Sequence, residues 1–448
     1  MVALGCAMVA TLDYLKEAVG DIAGIDHRPL QFDFGQFQRA AQDLSAGRNP
    51  YDVFLGLHCS SWCLGGYIYT PLVAEVLRPI AHLSLPRAAT VWLVLSHVMV
   101  AATALILWRA LRGKTTTAAL ATMLAAGLLY QPLFENFSYV QIGPAILLVM
   151  TGAAVMYLRG GARRTALAGA LIGLATVIKV TPLLAAPALL PPGWARPREG
   201  GSRAIREGVA GVSGLVAAAA SLVLLMLLFV PHTADFFVLV LPHIGGGTTV
   251  YENKSFPSFV GRAFELTAEV RPAWHVGIPS SAAVTILGML LFIGSTAWMS
   301  ARIILRPGVE LQARAAAFAA YVAAMPIVST ITWRHHVSVN ILAMALLLPA
   351  LWPYAGHASS RAARWLLVAS YPLTYIQQDF AHRLALGQGI SHPTLLDAVR
   401  VLVIEDLNLF GMICLWLACF LALRGLRQVA LPQSSPVPVR NAAAVAAA

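Results

Sequence analysis

Charged residues are scarce in this chain of 448 residues: Asp, Glu, Lys and Arg together make up 11%, whereas hydrophobic residues make up 58%. A water-soluble domain carries about 25% charged residues, so this chain has too few of them to cover a soluble body of its size. The same composition excludes collagen-like, coiled-coil and disordered proteins. The sequence therefore predicts a polytopic membrane protein.

Cysteine is also rare, with five residues, which excludes a disulfide-rich scaffold. His58, Cys59 and Cys63 share a loop, where a bridge or a metal is conceivable. No second Cys/His cluster completes a tetrahedral site, and we expect no metal site there. Walker A, dinucleotide-binding and nucleophile-elbow motifs are missing too. The sequence therefore shows no cytoplasmic domain that could bind a nucleotide or a sugar nucleotide.

Long apolar runs are what the chain does contain, and a helix needs about 20 such residues to cross a membrane. Clear candidates lie at 88–108, 115–134, 142–158, 208–230, 281–305, 315–332, 337–353 and 399–423. The run 365–376 is weaker, and 69–83, interrupted by prolines, is expected to be an interfacial or a re-entrant segment. The predicted fold class is all-α and polytopic, with about 10 to 12 membrane segments.

Short basic loops indicate the orientation, because cytoplasmic loops accumulate Lys and Arg. They hold more than half of the 31 Lys and Arg residues and lie at 109–114, 159–164, 196–206, 302–314, 361–364 and 424–427. The net charge of +11 therefore indicates orientation and not nucleic-acid binding. The long connections fall on the opposite, outer side.

The apolar stretch 166–190 lies between two of these basic loops and is too short to cross twice as full helices. It must enter the membrane and return, as a re-entrant or broken-helix hairpin that turns near Lys179–Pro182. Pro182 disfavours helix at the residue before it. Broken backbone at membrane depth is tolerated only inside protein or beside a water-filled cavity, so the turn is the first indication of a site.

A single integral membrane domain is predicted over 1–430, with outer loops 13–87 and 231–280 forming the catalytic face. The segment 431–448 is low in complexity and is predicted to be a disordered cytoplasmic tail.

Two ionisable residues stand out in the predicted outer half. Asp33 begins a predicted amphipathic helix that runs to about residue 46, with Gly47 as its C-terminal cap, so Asp33 is either an N-cap or a functional carboxylate. Lys179 lies in the broken hairpin, where an ionisable residue is a functional candidate unless its stem extends to the interface.

Two further clusters lie in predicted outer segments. In Trp333-Arg334-His335-His336, neighbouring imidazoles point apart, so we expect at most one of them to face a ligand. That histidine is a general base or a phosphate partner, or else it only caps backbone groups. The loop around Asn253, Lys254 and Ser255, followed by Arg262, is either an ordinary polar loop or part of a site.

Taken in order, these segments resemble glycosyltransferase family 87, polyprenyl-phosphate-mannose-dependent mannosyltransferases with the GT-C fold. The matching segments are Asp33-Phe34 with Ala40-Ala41, 46–51, Tyr69-Thr70-Pro71-Leu72, Gln141, 179–182, 253–255 with Arg262, and 329–336. Two positions depart from the family pattern. Gly143 stands where an Asn two residues after Gln141 is usual, and Thr330 stands where a proline is usual.

The resemblance implies an inverting hexosyltransferase of the cell membrane, with mannose as the expected sugar and an active site on the extracytoplasmic side. The donor would be a polyprenyl-phosphate sugar and the acceptor a lipid-linked or envelope glycan. No cofactor is expected, although a divalent metal stays an open alternative, and the partners are the bilayer, the donor and the acceptor. The resemblance implies that Asp33, His336 and His335 are catalytic. It implies that the donor phosphate is bound by Lys179, Arg262 and Arg334. The residues expected to bind substrate are Tyr69, Gln141, Asn253, Ser255 and Trp333.

Two other interpretations stay open at this point. A polytopic transporter or lipid flippase also uses broken helices and charged residues within the membrane. A catalytically inactive relative that acts as an assembly partner is the third.

Overall fold

The computed structural model describes residues 29–52, 66–195, 201–264, 281–303, 310–351, 358–376 and 394–429. The loop with His58, Cys59 and Cys63 and the tail 431–448 lie outside these residues. Within them the chain is almost entirely helical and has no β-strand. The helices are α1 Pro29–Ser45, α2 Pro71–Leu77, α3 Leu85–Leu111, α4 Thr117–Leu128, α5 Gln131–Ser138, α6 Gly143–Leu158, α7 Ala162–Ile178, α8 Gly201–Phe229, α9 Thr233–Gly245, α10 Phe256–Phe264, α11 Ala282–Ala301, α12 Glu310–Val328, α13 Asn340–Leu351, α14 Ala358–Tyr375, α15 Leu395–Glu405 and α16 Leu407–Val429.

Seven helical segments of the described chain are long and apolar enough to cross a membrane. They are Leu85–Leu111, Thr117–Ser138, Ser202–Phe229, Ala282–Ala301, Glu310–Val328, Arg334–Leu351 and Leu407–Leu426. The prediction of an all-α, multi-pass membrane protein is therefore confirmed.

The spans differ in how deeply they are buried. In α12 and in the span that contains α13, 89% and 94% of the most apolar window is buried inside the protein. The many alanines of α12 leave room for neighbouring helices to approach closely. Only 11% of the window is buried in α8, whose exposed Val and Leu side chains suit contact with lipid tails.

The predicted hairpin is present. Helix α7 ends at Ile178, and after an extended Lys179 a 3₁₀ helix covers Thr181–Leu189. Pro182 and Pro187 lie in that segment and lack the N–H that an α-helix needs. The 3₁₀ segment runs back along α7, and Gly193 N–H then donates to Ser300 O at 2.8 Å, near the end of α11 that precedes the basic loop.

Two boundaries differ from the prediction. Helix α1 runs from Pro29, so Asp33 lies inside it and is not its N-cap. The predicted span 399–423 is two helices, α15 and α16, because the chain bends at Asp406, whose buried carboxylate is held by a partner described below. The predicted end of α1 is confirmed, since Gly47 follows the helix with a φ of +70°, a conformation that favours glycine.

Candidate functional site

Asp33 is joined to Gln141, 108 residues further along the chain, by a hydrogen bond of 2.7 Å from Gln141 Nε2 to Asp33 Oδ2. Gln141 Oε1 in turn accepts a weaker bond, at 3.4 Å, from the hydroxyl of Tyr69. Burial raises the pKa of the Asp33 carboxyl to about 6, although the bond from Gln141 acts to lower it. Three residues from separate predicted outer segments therefore form one hydrogen-bonded unit around a carboxyl group that titrates close to neutrality.

The turn before α6 that presents Gln141 is strained at the preceding residue, Val140. Val140 has a φ of +51°, which is rare for a β-branched residue. The turn is held on both sides, because Gln141 N–H donates to Asn136 O at 2.8 Å and Trp92 Nε1 donates to Gln141 O at 3.2 Å. Such strain persists only where the surroundings enforce it, and it is typical of functional sites.

Gly143 has no room for a side chain. A Cβ atom built on it would lie 1.9 Å from Asn136 Oδ1. Asn136 is buried, and its Nδ2 donates to His335 O at 2.6 Å and to Ser338 Oγ at 3.0 Å. The departure from the family pattern at position 143 therefore has a steric reason, because the carboxamide of Asn136 fills the space.

Two cavities meet behind this unit. The larger has a volume of about 400 Å³ and a mostly apolar lining from the hairpin, α9, α11 and the end of α12. The smaller, of about 40 Å³, is lined by more polar residues, among them Gln141, His335 and Ser338. Lys179, Thr181 and His336 line both cavities and so mark their junction.

Lys179 is the one Lys or Arg among the described residues that line these two cavities. Its ammonium group lies 5.8 Å from the ring centre of Tyr69. Within the described chain no carboxylate lies within ion-pair distance of Lys179. An unpaired ammonium group beside an apolar cavity is a suitable partner for an anion.

The two histidines lie in a 3₁₀ helix, Arg334–Val339, with their rings edge to face and 4.5 Å apart. Both line the smaller cavity, and only His336 reaches the larger one. Both rings thus face one space, and the expectation that at most one of them contacts a ligand stays a prediction.

His336 also caps its own helix. The backbone N–H of Trp333 donates to His336 Nδ1 at 3.2 Å. Because Nδ1 accepts, the neutral ring carries its proton on Nε2. Nε2–H is therefore the donor that His336 can offer a ligand in place of its backbone partner, the Ile331 carbonyl. The carboxylate of Asp33 is the stronger candidate for the base.

Arg334 points away from both cavities. Its guanidinium forms an ion pair with Glu135 and donates to Ile376 O at 2.9 Å. Trp333 begins the same 3₁₀ helix and lines neither cavity.

Asn253 and Ser255 are buried, and Asn253 is hydrogen-bonded to the backbone just before the histidine segment, 333–336. Asn253 Nδ2 donates to Thr330 O at 2.8 Å, and its Oδ1 accepts from the N–H of Thr332 at 2.8 Å. Ser255 N–H donates to the same oxygen at 3.2 Å. These residues therefore orient the segment before His335 and His336 and do not line either cavity.

Arg262 is fully buried and bound to Asp406, at 2.6 Å between Nη2 and Oδ1. Its other terminal nitrogen donates to backbone oxygens of the Thr249–Asn253 loop and to Ser258 Oγ. Lys254 is buried beside it and donates to Glu405 O at 2.9 Å. This arrangement ties α10 to the bend between α15 and α16 and leaves the Arg262 guanidinium out of reach of a ligand in the cavities.

The structure thus brings together Asp33, Gln141 and Tyr69, and next to them Lys179, His335 and His336. Asp33 does not itself line either cavity and is joined to them through Gln141 and Tyr69. Arg262, Arg334, Asn253, Ser255 and Trp333 also line neither cavity. Sequence reasoning missed Thr181 and Asn136. The first lies in the Lys-Val-Thr-Pro segment that marked the hairpin, and the second lies five residues before Gln141 without a motif of its own.

Metal ligands are not clustered in the described part of the chain, which has no group of three or more His, Cys, Asp or Glu residues with suitable placement.

The helices and the buried, strained polar site at one end of the bundle define a multi-pass membrane protein with an enzyme-like centre.

A family model described as Glycosyltransferase family 87 matches residues 67–329. The match covers more than half of the 448 residues, and the chain belongs to this family. The two histidines lie a few residues past the matched range, and Asp33 lies well before it.

Among solved structures, the chain is similar to ArnT from Cupriavidus metallidurans bound to undecaprenyl phosphate. The identity is 13% and the TM-score 0.40, over 95% of this chain and 77% of that chain. No protein of curated function matches the chain in sequence.

Proposed function

We propose that this membrane glycosyltransferase transfers a hexose, with mannose as the expected sugar, from a polyprenyl-phosphate donor to a lipid-linked or envelope glycan. The transfer takes place on the extracytoplasmic side and inverts the anomeric configuration. The observation that carries the proposal is Lys179, an ammonium group without an acidic partner in the described chain, at the junction of a large apolar cavity and a small one lined in part by Gln141, His335 and Ser338.

The larger cavity suits the prenyl chain of such a donor. Leu184, Leu241, Met289 and Ile331 are among its apolar lining residues, and each buried CH₂ group is worth about 0.8 kcal/mol. Val180 and Leu183 line the same cavity and are exposed, so a lipid chain has a route from the bilayer. A sugar nucleotide would gain little from such a lining.

Three donors surround the place where the phosphate of that lipid would lie. They are the ammonium of Lys179, the hydroxyl of Thr181 and the Nε2–H of His336, all on residues that line both cavities. When the bond between the anomeric carbon and the phosphate oxygen breaks, its electron pair goes to that oxygen and the phosphate gains one negative charge. Fixed donors at that position stabilise the transition state more than the ground state.

Asp33 would accept the proton of the attacking hydroxyl group. Its carboxyl is bound to Gln141, and Tyr69 lies between this pair and Lys179. A base on one side of the sugar and a leaving phosphate on the other fit direct displacement, which inverts the anomeric carbon. A carboxyl pKa of about 6 suits a general base near neutral pH.

The extracytoplasmic location is inferred from the distribution of charge. Basic residues of four segments, namely Lys114, Arg159, Arg203 and Arg314, meet at the end of the bundle opposite Lys179. Basic ends face the cytoplasm, so the site would face outward.

Synthetic polyprenyl-phosphate sugars, incubated with the purified protein and a lipid extract, test this function. We expect labelled hexose in a new covalent product, with mannose preferred over glucose and galactose, and linkage analysis should give an α-glycoside from a β-linked donor. Movement of label across vesicles without a covalent product would identify a transporter instead.

Lys179→Met tests the phosphate contact within that assay. Loss of a charge-assisted hydrogen bond of about 1.5–3 kcal/mol should raise the donor KM or lower kcat by about 10–100-fold. Lys179→Arg should recover part of the activity because it keeps the charge. Arg39→Met, which removes an exposed cation from α1, is the matched control. An unchanged donor dependence in Lys179→Met would rule out the contact.

A further inference from the structure

A third cavity, of about 390 Å³, lies at the opposite end of the bundle from Lys179. It is lined by the ends of four helices and their loops: Lys114, Leu158, Arg159, Gly160, Arg203, Glu310, Leu311 and Gln312. The glycosyl-transfer site described above uses none of these residues. We call this space the basic cavity.

An ion-pair network forms one wall of the basic cavity and is balanced in charge. Arg314 binds Glu207 at 2.6 Å and Glu310 at 2.8 Å, and Arg203 binds Glu207 at 3.0 Å. Two arginines and two glutamates leave no net charge. The backbone of Gly160 lies against both guanidinium groups, which fixes the network to the end of α6.

Lys114 and Arg159 add positive charge that this network does not neutralise. Both side chains are exposed, and neither has a carboxylate within ion-pair distance in the described chain. The acid that lines the cavity, Glu310, is paired with Arg314 and Arg203, so the two further cations leave a net positive charge that attracts an anion. Arginine in particular presents a fork of donors that matches a phosphate group.

The basic cavity also holds an acceptor without a partner. Gln312 Oε1 is buried and receives no hydrogen bond from any described residue. A buried acceptor of this kind costs free energy unless a donor reaches it. A ligand that carries a hydroxyl group beside the negative charge bound by Lys114 and Arg159 would supply that donor once the Gln312 side chain turns toward the cavity.

We propose that the basic cavity binds a phosphate group that carries a hydroxylated substituent, as in glycerol phosphate. Lys114 and Arg159 hold the phosphate, and Gln312 accepts the hydroxyl proton in a hydrogen bond. Leu158 and Leu311 supply an apolar wall next to the polar group. The same chemistry occurs in the headgroup of phosphatidylglycerol and in free glycerol phosphate, and basic pockets between membrane helices are known to hold anionic headgroups.

Native mass spectrometry of the purified full-length protein measures this binding directly. The wild type is compared with Lys114→Gln/Arg159→Gln and with Arg163→Gln/Arg206→Gln, which removes two exposed cations outside the cavity. Each is titrated with phosphatidylglycerol, phosphatidylcholine and sn-glycerol 3-phosphate. We expect the cavity variant to bind phosphatidylglycerol about tenfold more weakly than the wild type and the control variant to match the wild type.

Gln312→Glu is a second, nearly isosteric test. Its carboxylate would repel the phosphate, so it should weaken binding at least as much as the loss of one cation. Saturable binding of glycerol phosphate would identify a free ligand, and binding of phosphatidylglycerol alone a lipid. Equal affinities of the wild type, the cavity variant and Gln312→Glu for every probe would overturn the proposal.

Discussion

The carboxamide of Gln141 donates a hydrogen bond to the carboxylate of Asp33 at 2.7 Å. Gln141 follows the strained turn at Val140, whereas Asp33 lies in α1, so the bond joins the bundle to the amphipathic helix beside it. This bond fixes the direction of the Asp33 side chain and stabilises its charged form. Both effects are expected of a partner to a general base.

Replacing Asp33 with Asn should abolish most transfer and leave the fold intact. The amide keeps an oxygen for Gln141, and it removes a charge that burial disfavours. A general base contributes about 10²–10⁴-fold, and we expect a loss in kcat of that order with normal thermal stability. Asp43→Asn, in the same helix and paired with the exposed Arg48, is the matched control. Near-normal transfer by Asp33→Asn would remove this residue from the mechanism.

The dependence of activity on pH should show the titration of Asp33. The base must be deprotonated, so kcat/KM should fall as the pH drops through about 6, the pKa to which burial raises this carboxyl. Gln141→Met removes a hydrogen bond that favours the charged form and so raises the pKa further. The inflection should then move to higher pH. The residual activity of Asp33→Asn should lack this inflection; if it keeps it, another group is titrating.

Two substitutions of His336 separate its two ring nitrogens. Asn can accept the Trp333 N–H as Nδ1 does, whereas Gln can place its NH₂ near the position of Nε2. We expect His336→Asn to keep thermal stability and lose activity, and His336→Gln to keep more activity at lower stability. Thermal unfolding and donor kinetics of both variants measure this split. Equal behaviour of the two would show that the cap and the cavity donor are not separable.

Arg262 is expected to support the fold and not the donor phosphate. Arg262→Met leaves the buried Asp406 without its partner, which costs about 3–5 kcal/mol. Arg262→Met/Asp406→Leu removes both charges and should recover much of the stability. Denaturation in detergent compares the two variants and the wild type, and the donor KM of the double variant should be normal. A stable Arg262→Met with a raised donor KM would instead restore the phosphate role expected from the family resemblance.

The hairpin was predictable because the apolar stretch 166–190 lies between two basic loops. A single span would place those loops on opposite sides of the membrane, whereas their charge places both on the cytoplasmic side. The proximity of Asp33 and Gln141 was not predictable from spacing, and only the family resemblance placed them in one site. Arg262 and Arg334 were expected to bind phosphate because a sequence shows cations but not their partners. Those partners, Asp406 and Glu135, lie 144 and 199 residues away in the chain.

Asn136 and Gly143 occupy a single volume, since a Cβ on residue 143 would lie 1.9 Å from Asn136 Oδ1. The two positions therefore cannot diverge independently. A side chain at 143 requires that the Asn136 carboxamide turn away or that a smaller residue replace it, and either change disturbs the hydrogen bond from Asn136 to the carbonyl of His335. The size of residue 143 is thus linked, through Asn136, to the position of the histidine segment.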